Sequence, residues 1–159
     1  MPASAPAGRS VDERAAREWA DRARETLKRR GHRSGGAREK VIDFLARQRC
    51  LLSAHDVTRS LHDGGERIGT ASVYRALDTL AQLDLLERHE ISGITHFELA
   101  DGDRHHHHVV CGSCGRIASF SDRDLESALT GLARRLDFDV DQHDVLLHGR
   151  CAGCRTSAV

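Results

Sequence analysis

Two Cys-x-x-Cys pairs, Cys111/Cys114 and Cys151/Cys154, are separated by 36 residues. Each pair turns two sulfurs toward one point, and together they supply the four tetrahedral ligands that a closed, non-catalytic Zn²⁺ site takes. A redox pair of dithiols or an iron–sulfur cluster is the competing reading of the same spacing. Just before the first pair stand four consecutive histidines, His105 to His108. In an extended strand alternate side chains leave on opposite faces. His105 and His107 therefore face one way, and His106 and His108 the other. Four adjacent histidines cannot build one mononuclear cage, but they can give two ligands to each of two sites. By type and nearness in sequence, Glu98, His96, His89, Glu126 and His143 are the candidates to complete them. The bland alternative is a polar strand that binds no metal. A fifth cysteine, Cys50, stands alone and reads first as an ordinary buried thiol.

Such ligands need elements to hold them. The chain has 159 residues, enough for one ordinary domain or two small ones. No apolar run is long enough to span a bilayer and no export signal is visible, so a cytoplasmic protein is expected, with cysteines that bind metal rather than pair. Residues 1–10 read as a disordered tail. Apolar positions at Ala16, Trp19, Ala20, Ala23 and Leu27 predict a helix over 12–30 ending at Gly31. Val41, Phe44 and Leu45 mark a second helix after "RSGG". "SAHD" at 53–56 is a capping-box pattern that opens a third. A fourth, with Thr70 as its N-cap, buries Val73, Leu77, Leu80 and Leu83 and turns Ala71, Ser72, Tyr74, Arg75 and Asp78 outward. "LLERHEI" and "ITHFEL" around Ser92-Gly93 predict a hairpin.

Helices followed by a hairpin give the order of a winged helix-turn-helix, and the fourth helix would then enter the major groove with Tyr74 and Arg75. A plain helix bundle with a surface tyrosine is the alternative. Net charge is zero, yet residues 28–49 carry eight Lys/Arg against two Asp/Glu, a local excess suited to a polyanion. Residues 101–104 read as a hinge. Beyond it come strands over "HHHHVVC" and "RIASF". A helix capped by Ser121 follows, with its apolar stripe at Leu125, Ala128, Leu129, Leu132 and Leu136, and then a last strand in "HDVLLHG". The fold class is α+β, with a C-terminal unit whose core is too small to be stable without a staple or a partner.

The combination of "GTASVYRALDTL", "FEL", a His-rich strand running into CxxC, "LHGRC" and a second CxxC resembles the ferric uptake regulator family over about residues 24–155. The resemblance implies a winged-helix DNA-binding domain at 11–100 and a small α/β dimerisation domain at 105–159 that carries the four-cysteine zinc. It implies a homodimeric bacterial repressor of metal uptake and homeostasis genes, loaded with Zn²⁺ or Fe²⁺ and bound to a pseudo-palindromic operator. No membrane or small organic substrate is involved. Carried over residue by residue, Glu98, His106 and His108 belong to a regulatory site between the domains. His105, His107, Glu126 and His143 belong to a second site.

Two positions that often carry regulatory ligands are Leu51 and Ser119 here. Their loss leans the site toward tetrahedral Zn²⁺, with Cys50, or else His89 or Glu87, as a fourth ligand. Lys28, Arg29, Arg30, Arg33 and Arg38, with Thr70, Ser72, Tyr74 and Arg75, are the expected DNA contacts. The rivals are a peroxide sensor of the same family, a metal buffer or chaperone, and a zinc metallohydrolase. An enzyme is not expected, since no HExxH, GxSxG or phosphate-binding glycine loop is present.

Overall fold

The computed structural model describes residues 13–33, 35–48, 50–100 and 105–156. The expected tail at 1–10 and hinge at 101–104 lie outside them. These residues fall into two compact units, one within 13–100 and one within 105–156.

The first unit opens with α1 (Glu13–Arg29), whose Ala16, Trp19, Ala20, Ala23 and Leu27 form one buried stripe. The indole Nε1 of Trp19 donates to the Leu85 carbonyl at 3.3 Å, so the aromatic buries its area without stranding a donor. Gly31 closes the helix at φ 75°, and the His32 N–H reaches back to Leu27 O at 2.9 Å. Helix α2 (Gly36–Leu45) is tied to α1 by Arg24, which meets Glu39 at 2.9 Å and Asp43 at 2.6 Å. The capping box is present on α3 (Ala54–Asp63). There the Asp56 N–H donates to Ser53 Oγ, and the Ser53 N–H to the Asp56 carboxylate.

Helix α4 (Thr70–Gln82) buries Val73, Ala76, Leu77 and Leu80. Two details of its reading are corrected. Its N-cap is Gly69, whose carbonyl accepts from Ser72 and Val73, so Thr70 is the first helical residue and caps nothing. Leu83 is the C-cap, past the last helical residue, and is only partly buried against the core, while Ala76 joins the buried stripe.

The wing is β2 (Leu86–Ile91) against β3 (Ile94–Leu99), antiparallel through six residue pairs. Ser92 and Gly93 both take positive φ, 53° and 77°, the left-handed pair that a two-residue hairpin turn needs. A two-residue strand, β1 (Leu52–Ser53), adds to the other edge of β3 and gives the order β1-β3-β2. It was not expected, because two residues carry no period.

In the second unit β4 (His107–Cys111) lies between antiparallel β5 (Ile117–Phe120) and parallel β6 (Leu146–Gly149). Helix α5 (Arg123–Arg135) is capped by Asp122, not Ser121. The Asp122 carboxylate accepts from the Asp124 and Leu125 N–H groups at 2.9 Å each, and an ionised acceptor is the stronger cap. The stripe expected on α5 exists, but none of it is buried: Leu132 is 42% exposed and Leu136 60%. A short α6 (Ala152–Thr156) closes the described chain.

Trp19→Ala should cost about 3–5 kcal/mol, as other large core truncations do. Trp19→Phe should cost less, losing mainly the bond to Leu85. Urea denaturation of both variants under fixed metal conditions measures the difference.

Candidate metal centres

The four cysteine sulfurs lie within 4.8 Å of one another. Strand β4 ends on Cys111, and a tight turn closed by the Gly115 N–H on Cys111 O brings Cys114 back. The Gly112 N–H on Gly149 O fastens this knuckle to the end of β6, so Cys151 arrives alongside and donates its N–H to Cys111 Sγ at 3.4 Å. Cys114 and Cys151 stand 3.8 Å apart, Sγ to Sγ. A regular tetrahedron with Zn–S bonds of about 2.3 Å has edges of about 3.8 Å, so the set fits zinc.

The thiols are not equivalent. Backbone N–H groups of Cys151, Cys114 and Ser113 pull Cys111 down to about 6. Cys151 is also lowered, first by the Cys154 backbone. Cys154, hydrogen-bonded to Cys114, Cys151 and Cys111, is pushed up to about 12.

His105, His107, Glu126 and His143 form a second cluster. Glu126 sits one turn into α5 and takes His107 Nε2 at 2.8 Å and His143 Nε2 at 2.9 Å on its two oxygens. His105 Nε2 is 2.9 Å from His143 Nε2 and 3.4 Å from the same carboxylate. The Val145 N–H donates to His107 Nδ1, so neutral His107 carries its proton on Nε2 and gives it to Glu126. Phe120 packs against this ring at 5.5 Å between centroids. Neither support was expected from sequence, since a backbone N–H and a neighbouring strand leave no local signal. Desolvation works to raise the Glu126 pKa, but the bonds from His107 and His143 and the nearby His105 outweigh it and hold it below the ordinary 4.5.

The other two histidines lie together: the rings of His106 and His108 are 4.9 Å apart, as those of His105 and His107 are 4.7 Å apart. In the wing, His89 Nε2 is 2.7 Å from Glu98 Oε1, a diagonal cross-strand contact within one hairpin. His96, on the same face, has its Nδ1 3.0 Å from Ile94 O. Cys50, half-buried, belongs to none of the ligand clusters among the described residues.

The nucleic-acid candidates gather at α4. Tyr74 is 48% exposed, and Arg75 is held by Ser72 Oγ at 3.1 Å. Arg33 and Arg38 line one cleft with Ser72 and Arg75, and Arg38 donates to Arg33 O at 2.8 Å. Thr70 is exposed at the start of α4, and Lys28 is exposed on the last turn of α1, outside that cleft. Lys40 is instead spent on Glu66 at 2.7 Å.

The profile of the Ferric uptake regulator family matches residues 29–148. The chain belongs to this family. The Ferric uptake regulation protein of Bordetella parapertussis is 37% identical over 131 residues, which cover 81% of this chain and 94% of that protein. Its counterpart from Cupriavidus metallidurans is 39% identical over 127 residues, 79% and 88% of the two chains. The ferric uptake regulator of Vibrio cholerae superposes with a TM-score of 0.71 at 32% identity, covering 80% of this chain and 98% of that one. That of Helicobacter pylori, described as having three functional metal-binding sites, reaches 0.81 at 25% identity and covers 96% and 100%. Helix α1, apart from its last residue, and the second cysteine knuckle lie outside the matched profile. Their place in this family member rests on the geometry above.

Cys151→Ser should lower bound zinc by one equivalent per chain and leave the second unit open to proteolysis, as zinc analysis and limited digestion would show. In the stripped protein, the depressed Glu126 contributes stability above its ordinary pKa of 4.5 and loses it as pH falls through the lower folded value. The stability difference between wild type and Glu126→Gln should therefore shrink on acidification below about 4.5. Parallel urea titrations across pH test this.

Proposed function

We propose that this chain is a metal-responsive transcriptional repressor of metal-uptake and homeostasis genes, not an enzyme, that works in the cytoplasm. Residues 11–100 read DNA, and residues 105–159 pair two copies and hold metal. The carrying observation is that one family member combines an exposed Tyr74–Arg75 face on a winged-helix unit with pre-gathered ligand clusters. The Vibrio cholerae relative is described as having DNA-binding domains, which supports the first half of this reading. The Helicobacter pylori relative's three metal sites support the second.

The four cysteines hold a structural Zn²⁺, and His105, His107, Glu126 and His143 a second ion. Glu98 and His89 of the wing, with His106 and His108, hold the regulatory Zn²⁺ or Fe²⁺. Bound there, the divalent ion would supply a cross-link between the wing and the histidine-bearing strand. Glu98 and His89 lie on the wing strands, in the same compact unit as α4, so fixing them would fix the direction in which Tyr74 and Arg75 point. Arg75 donates to a guanine edge or phosphate, and Tyr74 covers a thymine methyl. Arg33, Arg38 and Lys28 neutralise backbone phosphates and make binding weaken with salt.

Dimerisation has its own support. Leu132, Leu136, Phe138, Val140, Leu146 and Leu147 of the second unit are between 37% and 71% exposed. So much apolar surface on so small a unit suits a self-complementary partner, and a twofold dimer presents two recognition helices to a pseudo-palindrome. If the metal selects one of several poses, stripped protein binds more weakly by the fraction of time spent in that pose, and DNA tightens the metal in return.

Fluorescence anisotropy with the chain's own upstream region, under anaerobic titration with Zn²⁺ or Fe²⁺, tests this. Loaded protein should bind at least about tenfold more tightly than stripped protein. Arg75→Ala should cost about 1–3 kcal/mol of operator affinity with little change in metal content. Equal binding by stripped and loaded protein would remove the regulatory reading.

A further inference from the structure

The wing carries more ligand chemistry than the regulatory reading uses. On β2 and β3 the ladder sets Glu87 opposite Glu98 and His89 opposite His96, so these four side chains share one face. Within that face His89 Nε2 lies 2.7 Å from Glu98 Oε1 and 3.8 Å from Glu87 Oε2. One imidazole therefore stands between two carboxylates, and all three come from a single hairpin locked by six residue pairs and a two-residue turn. Carboxylates directly opposite each other in a ladder repel, and a cation between them would reverse that cost.

We infer that the wing hairpin is by itself a divalent-cation landing site, formed by Glu87, His89 and Glu98, which captures the regulatory ion before His106 and His108 complete its ligand set. The inference rests on the regulatory reading above and adds Glu87 as a ligand and an order of assembly. Because His89 already lies 2.7 Å from Glu98 and 3.8 Å from Glu87, little ordering entropy opposes the first capture. Glu87 is half-exposed and offers the solvent-side entry. One nitrogen and two oxygens leave coordination positions open to water, so this first complex is weak. The two imidazoles then displace water and convert it into a set of three nitrogens and two oxygens.

That full set also changes the chemistry expected of the site. Counting Glu98, His89, His106 and His108, one ligand is a hard oxygen and water must complete any coordination above four. With Glu87 there are five, two of them hard oxygens. Such a set suits Fe²⁺ or Mn²⁺ as readily as Zn²⁺.

The decisive measurement is zinc stoichiometry by equilibrium dialysis at buffered free zinc, on full-length chain carrying His106→Ala and His108→Ala. This variant should still hold one equivalent more than the same chain with His89→Ala added, at an affinity at least about tenfold below wild type. Equal stoichiometry in the two variants overturns the landing site. A second arm does not depend on the double variant folding. Glu87→Gln, an isosteric change on a half-exposed strand position, should raise the free metal needed for half-maximal operator binding by about tenfold. An unmoved midpoint removes Glu87 from the ligand set. If wild-type protein binds its operator without metal, the regulatory reading falls. The zinc count on the histidine variants still decides whether the hairpin binds.

Discussion

Alternation along one strand sets the terms for the rest of the second unit. In β4 and the two residues leading into it, successive side chains leave on opposite sides, and the strand ends on a cysteine. One continuous backbone thus feeds three sets of candidate ligands: His105 and His107 on one face, His106 and His108 on the other, and Cys111 at the end. A register slip of one residue would exchange the two faces. The register is held on both sides, by antiparallel β5 and parallel β6. The β6 pairing also delivers the second cysteine knuckle beside the first.

The two units differ in what holds them together. The first has a conventional interior, in which α1 to α4 and the inner face of the wing bury aliphatic residues around Trp19, Ile42, Leu77 and Phe97. In the second, the buried residues among those described are Val110, Cys111, His107 and His108, while α5 and α6 bury none. Burying imidazole and thiol in place of leucine is costly unless each polar group is satisfied. Glu126 and the Val145 N–H satisfy His107, and backbone N–H groups satisfy Cys111. A unit built this way depends on its cations and on a partner surface for stability that an aliphatic core would otherwise supply.

That dependence suits a sensor. A ligand shifts an equilibrium only by its differential affinity for the two states. Ligands preassembled in sub-clusters keep the ordering cost of binding small, so more of the metal's binding free energy reaches the conformational change. The pairing of His89 with Glu98 is such a sub-cluster, and the carboxylate-centred set around Glu126 is another.

Much of this was legible in the residues. The capping box at Ser53 and Asp56, the turn at Ser92 and Gly93, the apolar stripe of α1 and the spacing of the cysteines are local patterns. Each works through chemistry that a few neighbouring residues contain. The helix starts at Thr70 and Ser121 were misplaced by one residue because Gly69 and Asp122 can also cap, and only the hydrogen bonds distinguish them. β1 was invisible at two residues long. The choice of His89 over His96 as the neighbour of Glu98 could not be read from type, since both are histidines on one face. Sequence by itself determined which candidate ligands exist and which side of a strand each leaves. Only the tertiary structure decided which of them meet, because strand register and side-chain direction are set by contacts between residues far apart in the chain.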